Sequence, residues 1–450
     1  MANGHHNTPS FLLEKQDVVL VKPSKPTPSG DLSLSSIDNN PSLEILCQTI
    51  YAYRSNTDNP SINNDNHVFI RSDDPALVIK EALSKALVYY HPLAGKLKKH
   101  SDGRLQINCS ADGVPFLVAT ANCRLSSLHY LEGIDVEVLK QFVFDFPSEG
   151  DSGQFFRALV EFSSGKSDPS VKPVWERERL VGTPSEEPLR PLVDKETLAT
   201  SPYLPTTDLL HACFHVSTES IKRLQMSLQE ECGTESLNQN FTTIEVLGAY
   251  VWRSRFRALE LNSDGKTHFC LAMGIRKLLH PPLPDGYYGN AFGSANLVLT
   301  GGELDEVPLS KVAKLIKESK KVASKSDYIM KSLGILERMR QQNMKIPASG
   351  ASMVLTDWRQ LGLLEEVDFG WKDPVNILPV PWNIFGYVDL CMFLPPSKVD
   401  PSMKGGVRIL VSLPRPAMAK FEKEMDALKL GVHDHGANQQ KESNILIAYP

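Results

Sequence analysis

Val367-Asp368-Phe369-Gly370-Trp371 runs directly into Lys372-Asp373-Pro374-Val375-Asn376, and this stretch decides how the rest of the chain is read. Taken alone it is an Asp-Gly turn beside a tryptophan, where Gly370 permits a tight turn and Trp371 fills the space behind it. Its weight comes from the patterns that precede it in a fixed order. Leu34-Ser35-Ser36-Ile37-Asp38-Asn39 lies near the start, and Tyr90-His91-Pro92-Leu93-Ala94-Gly95-Lys96-Leu97 follows a first helix. Then come Pro173-Val174-Trp175-Glu176-Arg177-Glu178-Arg179-Leu180, Gly274-Ile275-Arg276, the segment from Pro281 to Asn290, and Thr356-Asp357-Trp358-Arg359.

At 450 residues, 41% hydrophobic and 22% charged, the chain is long enough for two or three domains with large cores. A formal net charge of -5 argues against a nucleic-acid binder, which would carry a clustered basic surplus. The polar start Met1-Ala2-Asn3-Gly4-His5-His6-Asn7 is not a secretory signal, and no apolar run is long enough to span a bilayer. The seven cysteines show no Cys-x-x-Cys spacing, which fits reduced thiols in the cytosol. The expectation is a cytoplasmic protein with no metal, no nucleic-acid partner and no membrane.

Five prolines between Gly182 and Asp208 interrupt a charged, weakly patterned stretch that can continue neither a helix nor an inner strand. It reads as a crossover over 182–209, between a first domain at 1–181 and a second at 210–450. In the first, Ser72-Asp73-Asp74-Pro75 starts a helix whose buried face is Ile79, Leu83 and Leu87, and 104–108 alternates like a strand. In the second, Leu210, Ala212, Phe214 and Val216 form one face of a strand and His211, Cys213 and His215 the other. Helices are predicted over 218–228, from the capping box Thr242-Thr243-Ile244-Glu245 to about 259, and from Pro416 through Leu428; strands are predicted over 388–394 and 407–413. Mixed elements in both parts make the fold α/β.

Dinucleotide, nucleotide, serine-hydrolase and zinc-protease motifs are missing. His211 and His215 do not make a metal site, because four residues of strand span roughly 13 Å. Lys311, Lys314, Lys317, Lys320, Lys321 and Lys325 crowd one amphipathic segment with Val312, Leu315, Ile316 and Val322 facing inward; the ordinary reading is a solvated helix face, the functional one a contact with a polyphosphate.

Taken together and in this order, the motifs resemble the plant BAHD family of acyl-CoA-dependent acyltransferases from end to end. Trp175-Glu176-Arg177-Glu178-Arg179-Leu180-Val181-Gly182, Ser201-Pro202-Tyr203-Leu204-Pro205-Thr206 and the Asp368 block look most like the spermidine hydroxycinnamoyl transferases. The resemblance implies two chloramphenicol-acetyltransferase-like domains with a channel between them, and a monomer with no bound cofactor. Acyl-CoA enters as co-substrate from one face, a polyamine or alcohol acceptor from the other. It also implies that Asp368 pairs with Arg276, that Phe369, Gly370 and Trp371 are architectural, and that Thr242, Thr243, Asp357, Trp358 and Asn290 line the CoA channel.

One half of the family signature has no counterpart. The family keeps its base in a His-x-x-x-Asp motif, and none of the twelve histidines here is followed four places on by aspartate. Asp145-Phe146-Pro147-Ser148-Glu149-Gly150-Asp151-Ser152-Gly153 leads straight into Gln154-Phe155-Phe156, the helix that follows the motif in the family. A strand, a turn and most of a second strand are expected to be missing before Gln154, and no catalytic residue is assigned. The leading expectation is hydroxycinnamoyl transfer from CoA to an amine such as spermidine. The alternatives are a non-catalytic member that binds a CoA thioester or a partner, and a defective splice isoform.

Overall fold

The computed structural model describes residues 11–43, 48–54, 74–133, 135–144, 153–184, 191–233, 240–346, 348–364, 369, 374–380 and 388–431. In the N-terminal half the strands are short: β1 (Leu13–Lys15), β2 (Val19–Val21), β3 (Asp31–Ser33), β4 (Thr49–Tyr53), β5 (Lys96–Lys99), β6 (Leu105–Asn108), β7 (Val114–Phe116) and β8 (Ala119–Ala121). They pair in small groups, β1 with β8, β2 with β7, and β3 with β6 and β5. The helices are α1 (Pro75–Tyr89), the single turn α2 (Val136–Leu139) and α3 (Gly153–Ser163). α1 starts as its sequence dictates: Asp74 accepts from the Ala76 amide and Pro75 occupies the first turn, where its missing N–H costs nothing. Its face of Leu83, Ala86 and Leu87 packs on Ala158, Leu159 and Phe162 of α3.

The C-terminal half is built differently. Its elements are β9 (Leu209–Val216), α4 (Thr218–Glu231), α5 (Thr243–Ala258), β10 (Lys266–Gly274), β11 (Phe292–Thr300), α6 (Gly301–Glu306), α7 (Leu309–Ala323), α8 (Ser326–Gln341), β12 (Ser352–Asp357), β13 (Pro374–Pro379), β14 (Leu390–Leu394), β15 (Val407–Pro414) and α9 (Arg415–Leu430). Six strands form one mixed sheet in the order β11-β10-β12-β14-β15-β9. The two faces of β9 separate as the alternation predicts: Phe214 meets Phe421 of α9, whereas His211 and His215 turn to the other side. Leu209, assigned above to the crossover, is already the first residue of β9. The strand predicted from Val388 begins at Leu390.

α5 crosses the core of this half and is buried around its circumference, which explains why no polar stripe marks it. Its charged residues are partnered, and Glu245, Arg253 and Arg255 among them are buried. Glu245 receives Lys320 at 2.7 Å, Arg255 meets Asp389 at 3.1 Å, and the Arg253 Nε donates to Leu304 O. Burying charge without such partners is prohibitive.

β13 leaves its own half. Sequence puts it just after the Asp368 block, yet it pairs antiparallel with β4, Ile377 opposite Tyr51 and Leu378 opposite Ile50. Arg408 of β15 holds it there, donating to Asn376 Oδ1 at 2.7 Å, Ile377 O at 2.9 Å and Pro395 O at 2.8 Å. Asn376 in turn donates to Tyr130 O at 3.0 Å. No described helix is long and apolar enough to cross a membrane.

Candidate active site

An aromatic seam joins the two halves where the start of α3 meets Tyr288 and Phe369. Tyr90, at the end of α1, stands edge-on to Phe155 at 5.4 Å and to Tyr288 at 4.9 Å. Phe156 lies 5.0 Å from Tyr51 on β4, and Phe369 meets Tyr53 at 6.0 Å. Phe369 is buried. Burial pushes the Tyr90 hydroxyl up to about 12, so it stays neutral. α3 begins at Gly153 with Gln154 in its first turn, so the helix that should follow a catalytic motif is present. Asp368, Gly370 and Trp371 lie outside the described residues, and with them the expected Asp368–Arg276 pair. The Arg276 Nη2 donates to Gly289 O at 2.7 Å, and its guanidinium lies 5.9 Å from the Tyr287 ring.

The residues expected along a CoA channel are placed by strong local interactions. Thr242 caps α5 in a capping box, its amide donating to Glu245 Oε2 at 2.8 Å, and Thr243 is the first residue of that helix. Asp357 is held in a fork by Arg359, at 2.8 Å through Nε and 2.6 Å through Nη2. The Trp358 amide donates to Phe393 O at 2.8 Å. Asn290 gives its Nδ2 to Asp38 Oδ1 at 3.0 Å, a contact across the halves. Thr242 and Asp357 are thus engaged in the capping and turn roles that their residue types perform by themselves.

The lysine row of α7 is not a plain solvated face. Lys320 reaches the buried Glu245, Lys317 donates to Asn240 O at 2.9 Å, and Lys321 pairs with Glu318 at 2.7 Å. Two of these cations therefore converge on the N-terminal end of α5. A heptad-like count sees the row; only the fold shows that α7 lies beside that end.

Seven of the histidines lie among the described residues. His211 Nδ1 is 2.6 Å from Ser412 Oγ, His215 Nδ1 is 3.7 Å from Glu132 Oε1, and His268 Nε2 is 3.0 Å from Asn296 Oδ1. Burial holds all three below the ordinary value of 6.5; for His215 it outweighs the opposing pull of Glu132. His91, half-buried after α1, is lowered for the same reason. Among the described residues no cluster of His, Cys, Asp and Glu is arranged to hold a metal.

Sequence reasoning quoted the Ser35–Asp38 segment without giving it a role. Ser36 Oγ faces Glu337 of α8 at 3.4 Å and accepts from the Gly182 amide at 2.9 Å. Asp38 binds Arg177 at 2.9 Å as well as Asn290. Glu337 also receives Arg340 and Arg104 at 2.8 Å and 3.0 Å. Apart from the local pair with Arg340, these contacts join residues 139 to 301 positions apart, which no local pattern can reveal.

A six-stranded sheet backed by helices, joined to a second helix-and-strand half along a seam, is the architecture of CoA-dependent acyltransferases. The crystal structure of vinorine synthase has the same fold, with a TM-score of 0.68 at 19% identity, covering 93% of this chain and 98% of that one. The family model described as the transferase family matches residues 11–152 and 143–428. Two Arabidopsis thaliana proteins are each 40% identical to the chain. Spermidine coumaroyl-CoA acyltransferase is matched over 95% of this chain and 98% of its own length, and spermidine sinapoyl-CoA acyltransferase over 93% and 98%. The chain belongs to this transferase family, the BAHD acyltransferases.

Proposed function

We propose that the chain is a hydroxycinnamoyl-CoA-binding acyltransferase of the spermidine-acylating kind, with turnover limited by the missing base. The observation that carries the substrate class is 40% identity across 95% of the chain to an enzyme named for spermidine and coumaroyl-CoA. A spermidine ammonium has no lone pair with which to attack a thioester, so the reaction needs a base to hold the nitrogen neutral. Loss of a general base costs about 10²–10⁴ in rate, which leaves positioning as the residual source of catalysis.

Support for a shortened N-terminal half comes from two lengths. The comparison with the first relative runs over 469 residues, longer than this chain's 450, and the two stretches matched by the family overlap at 143–152, just before Gln154. On this reading Asp368 pairs with Arg276, and the 242–243 turn and Lys317 and Lys320 border the CoA phosphates. The chain acts as a cytoplasmic monomer, with its domains meeting across 182–209. A second reading, a non-catalytic binder of CoA thioesters, is favoured by the same missing motif.

The two are separated by incubating the protein with feruloyl-CoA and spermidine while measuring feruloyl-CoA binding by calorimetry. Slow amide formation above the uncatalysed background, raised about 10²–10⁴-fold by inserting a strand-turn-strand segment with His-x-x-x-Asp before Gln154, supports the enzyme. Stoichiometric binding with no amide in either form supports the binder. Absence of binding removes both.

A further inference from the structure

The acyl-transfer reading leaves the environment of Arg177 unexplained. Its guanidinium is almost fully buried, 8% exposed, and its Nη1 donates to Asp38 Oδ2 at 2.9 Å. It lies over Trp175 at 4.5 Å and within 5.5 Å and 5.7 Å of the Tyr287 and Tyr288 rings. Asp38 is fixed in turn by Ser35 Oγ at 2.7 Å and Asn290 Nδ2 at 3.0 Å. The residue before it, Glu176, adopts left-handed backbone angles, φ +35° and ψ +34°, which a non-glycine residue takes only when the surroundings enforce it. Among the described residues the buried Arg177 Nε has no hydrogen-bond partner, so the group is held in place by its shape and its charge more than by full satisfaction of its donors.

The other wall is Gly289. A Cβ at that position would sit 2.0 Å from Arg177 Nη1 and 2.2 Å from Cζ: the guanidinium occupies the space a side chain would need. Gly289 also has φ +111° and carries the carbonyl that receives Arg276. Its neighbour Tyr288 belongs to the same buried cluster as Phe369 and α3. Any change in the height of the 287–290 loop therefore moves Arg276 on one side and the aromatic seam on the other.

We propose that Arg177 is a positioning residue, a plug seated in the Gly289 socket and latched by Asp38, which sets the spacing between segment 34–40 and the 287–290 loop and so shapes the acyl-CoA side of the junction. The ligand in this statement rests on the acyl-CoA reading; the plug itself does not. The experiment compares full-length D38N, R177M, R177K and the double variant D38N/R177M with the parent protein, using CoA binding by calorimetry, urea unfolding, and the rate of tryptic cleavage after Arg179, a site that all five proteins retain.

Each single substitution is expected to weaken CoA binding roughly two- to thirtyfold. Lysine cannot reproduce the planar fork and should not rescue. The double variant should lose less than the two singles combined, because it removes both buried charges together. Singles that lower the unfolding midpoint yet keep the CoA dissociation constant within about twofold would make Arg177 a packing residue and overturn the proposal. If the parent protein binds no CoA, the acyl-CoA reading falls instead, and the plug is judged on proteolysis: faster cleavage of the latch variants upholds the spacing role, and unchanged cleavage removes it.

Discussion

The two halves of this molecule bury apolar side chains by different means. In the C-terminal half one six-stranded sheet carries a single large core against α4, α5, α7 and α9, so each strand is braced by a neighbour on the sheet and a helix above it. In the N-terminal half the described strands form groups of two or three. That half's α1–α3 core includes Tyr288 and Phe369 from the other half, and β4 takes its described partner from β13. The lesson is that the described core of the N-terminal half is completed by side chains and a strand from across the junction.

The comparison breaks most visibly in the larger core. Phe421→Ala, fully buried against Phe214, is expected to cost about 3–5 kcal/mol and to shift the whole urea transition; a loss under about 1 kcal/mol would mean that the sheet core is no better packed than the patchwork. Arg408→Met removes three charge-assisted hydrogen bonds and should cost about 2–3 kcal/mol. Its sharper signature is local: amide exchange at Tyr51 and Ala52 on β4 accelerates, while that of Phe269 on β10 holds.

Acidification offers a gentler probe. His211 and His215 face the N-terminal half and His268 lies under α8, all held below the ordinary 6.5 by burial. The unfolded chain therefore takes up protons first, so the stability these residues confer is complete above about pH 6.5 and declines as pH falls below it. His215→Gln should flatten that decline in a set of urea midpoints between pH 5 and 8, and an unchanged slope would remove His215 from the explanation. Asp74→Ala deletes the cap of α1 at a cost of about 1 kcal/mol, seen as a small drop in the melting temperature. At the far end, Lys321→Ala breaks only an exposed i,i+3 pair and should stay within about 0.5 kcal/mol.

Much of the architecture was legible because it is local. The proline-capped start of α1, the capping box of α5 and the two-faced β9 follow from side chains within four residues of one another. The family itself was legible from motif order. What the sequence hid is what distance hides: that Asp38 joins Arg177 and, across the halves, Asn290, that Arg408 staples β13, and that Glu245, read as a cap, is also the buried partner of Lys320. Charged residues inside α5 are unreadable for the same reason, since their partners lie on α7, at Asp389 just before β14, and at the C-terminal end of α6. The Asp368 block marked the family because its companions stand in a fixed order along the chain.

The crossing of β13 has a consequence for how such a protein can be taken apart. A chain cut between Gly182 and Asp208 would not yield two modules, because the first piece would lack the strand that lies beside β4 and the second would carry that strand without its described partner. The halves should instead behave as a split protein, each piece poorly folded alone and recovering order when mixed. In the same way, a gene fusion or domain exchange that respects the crossover but replaces residues 374–380 would swap one half and damage both.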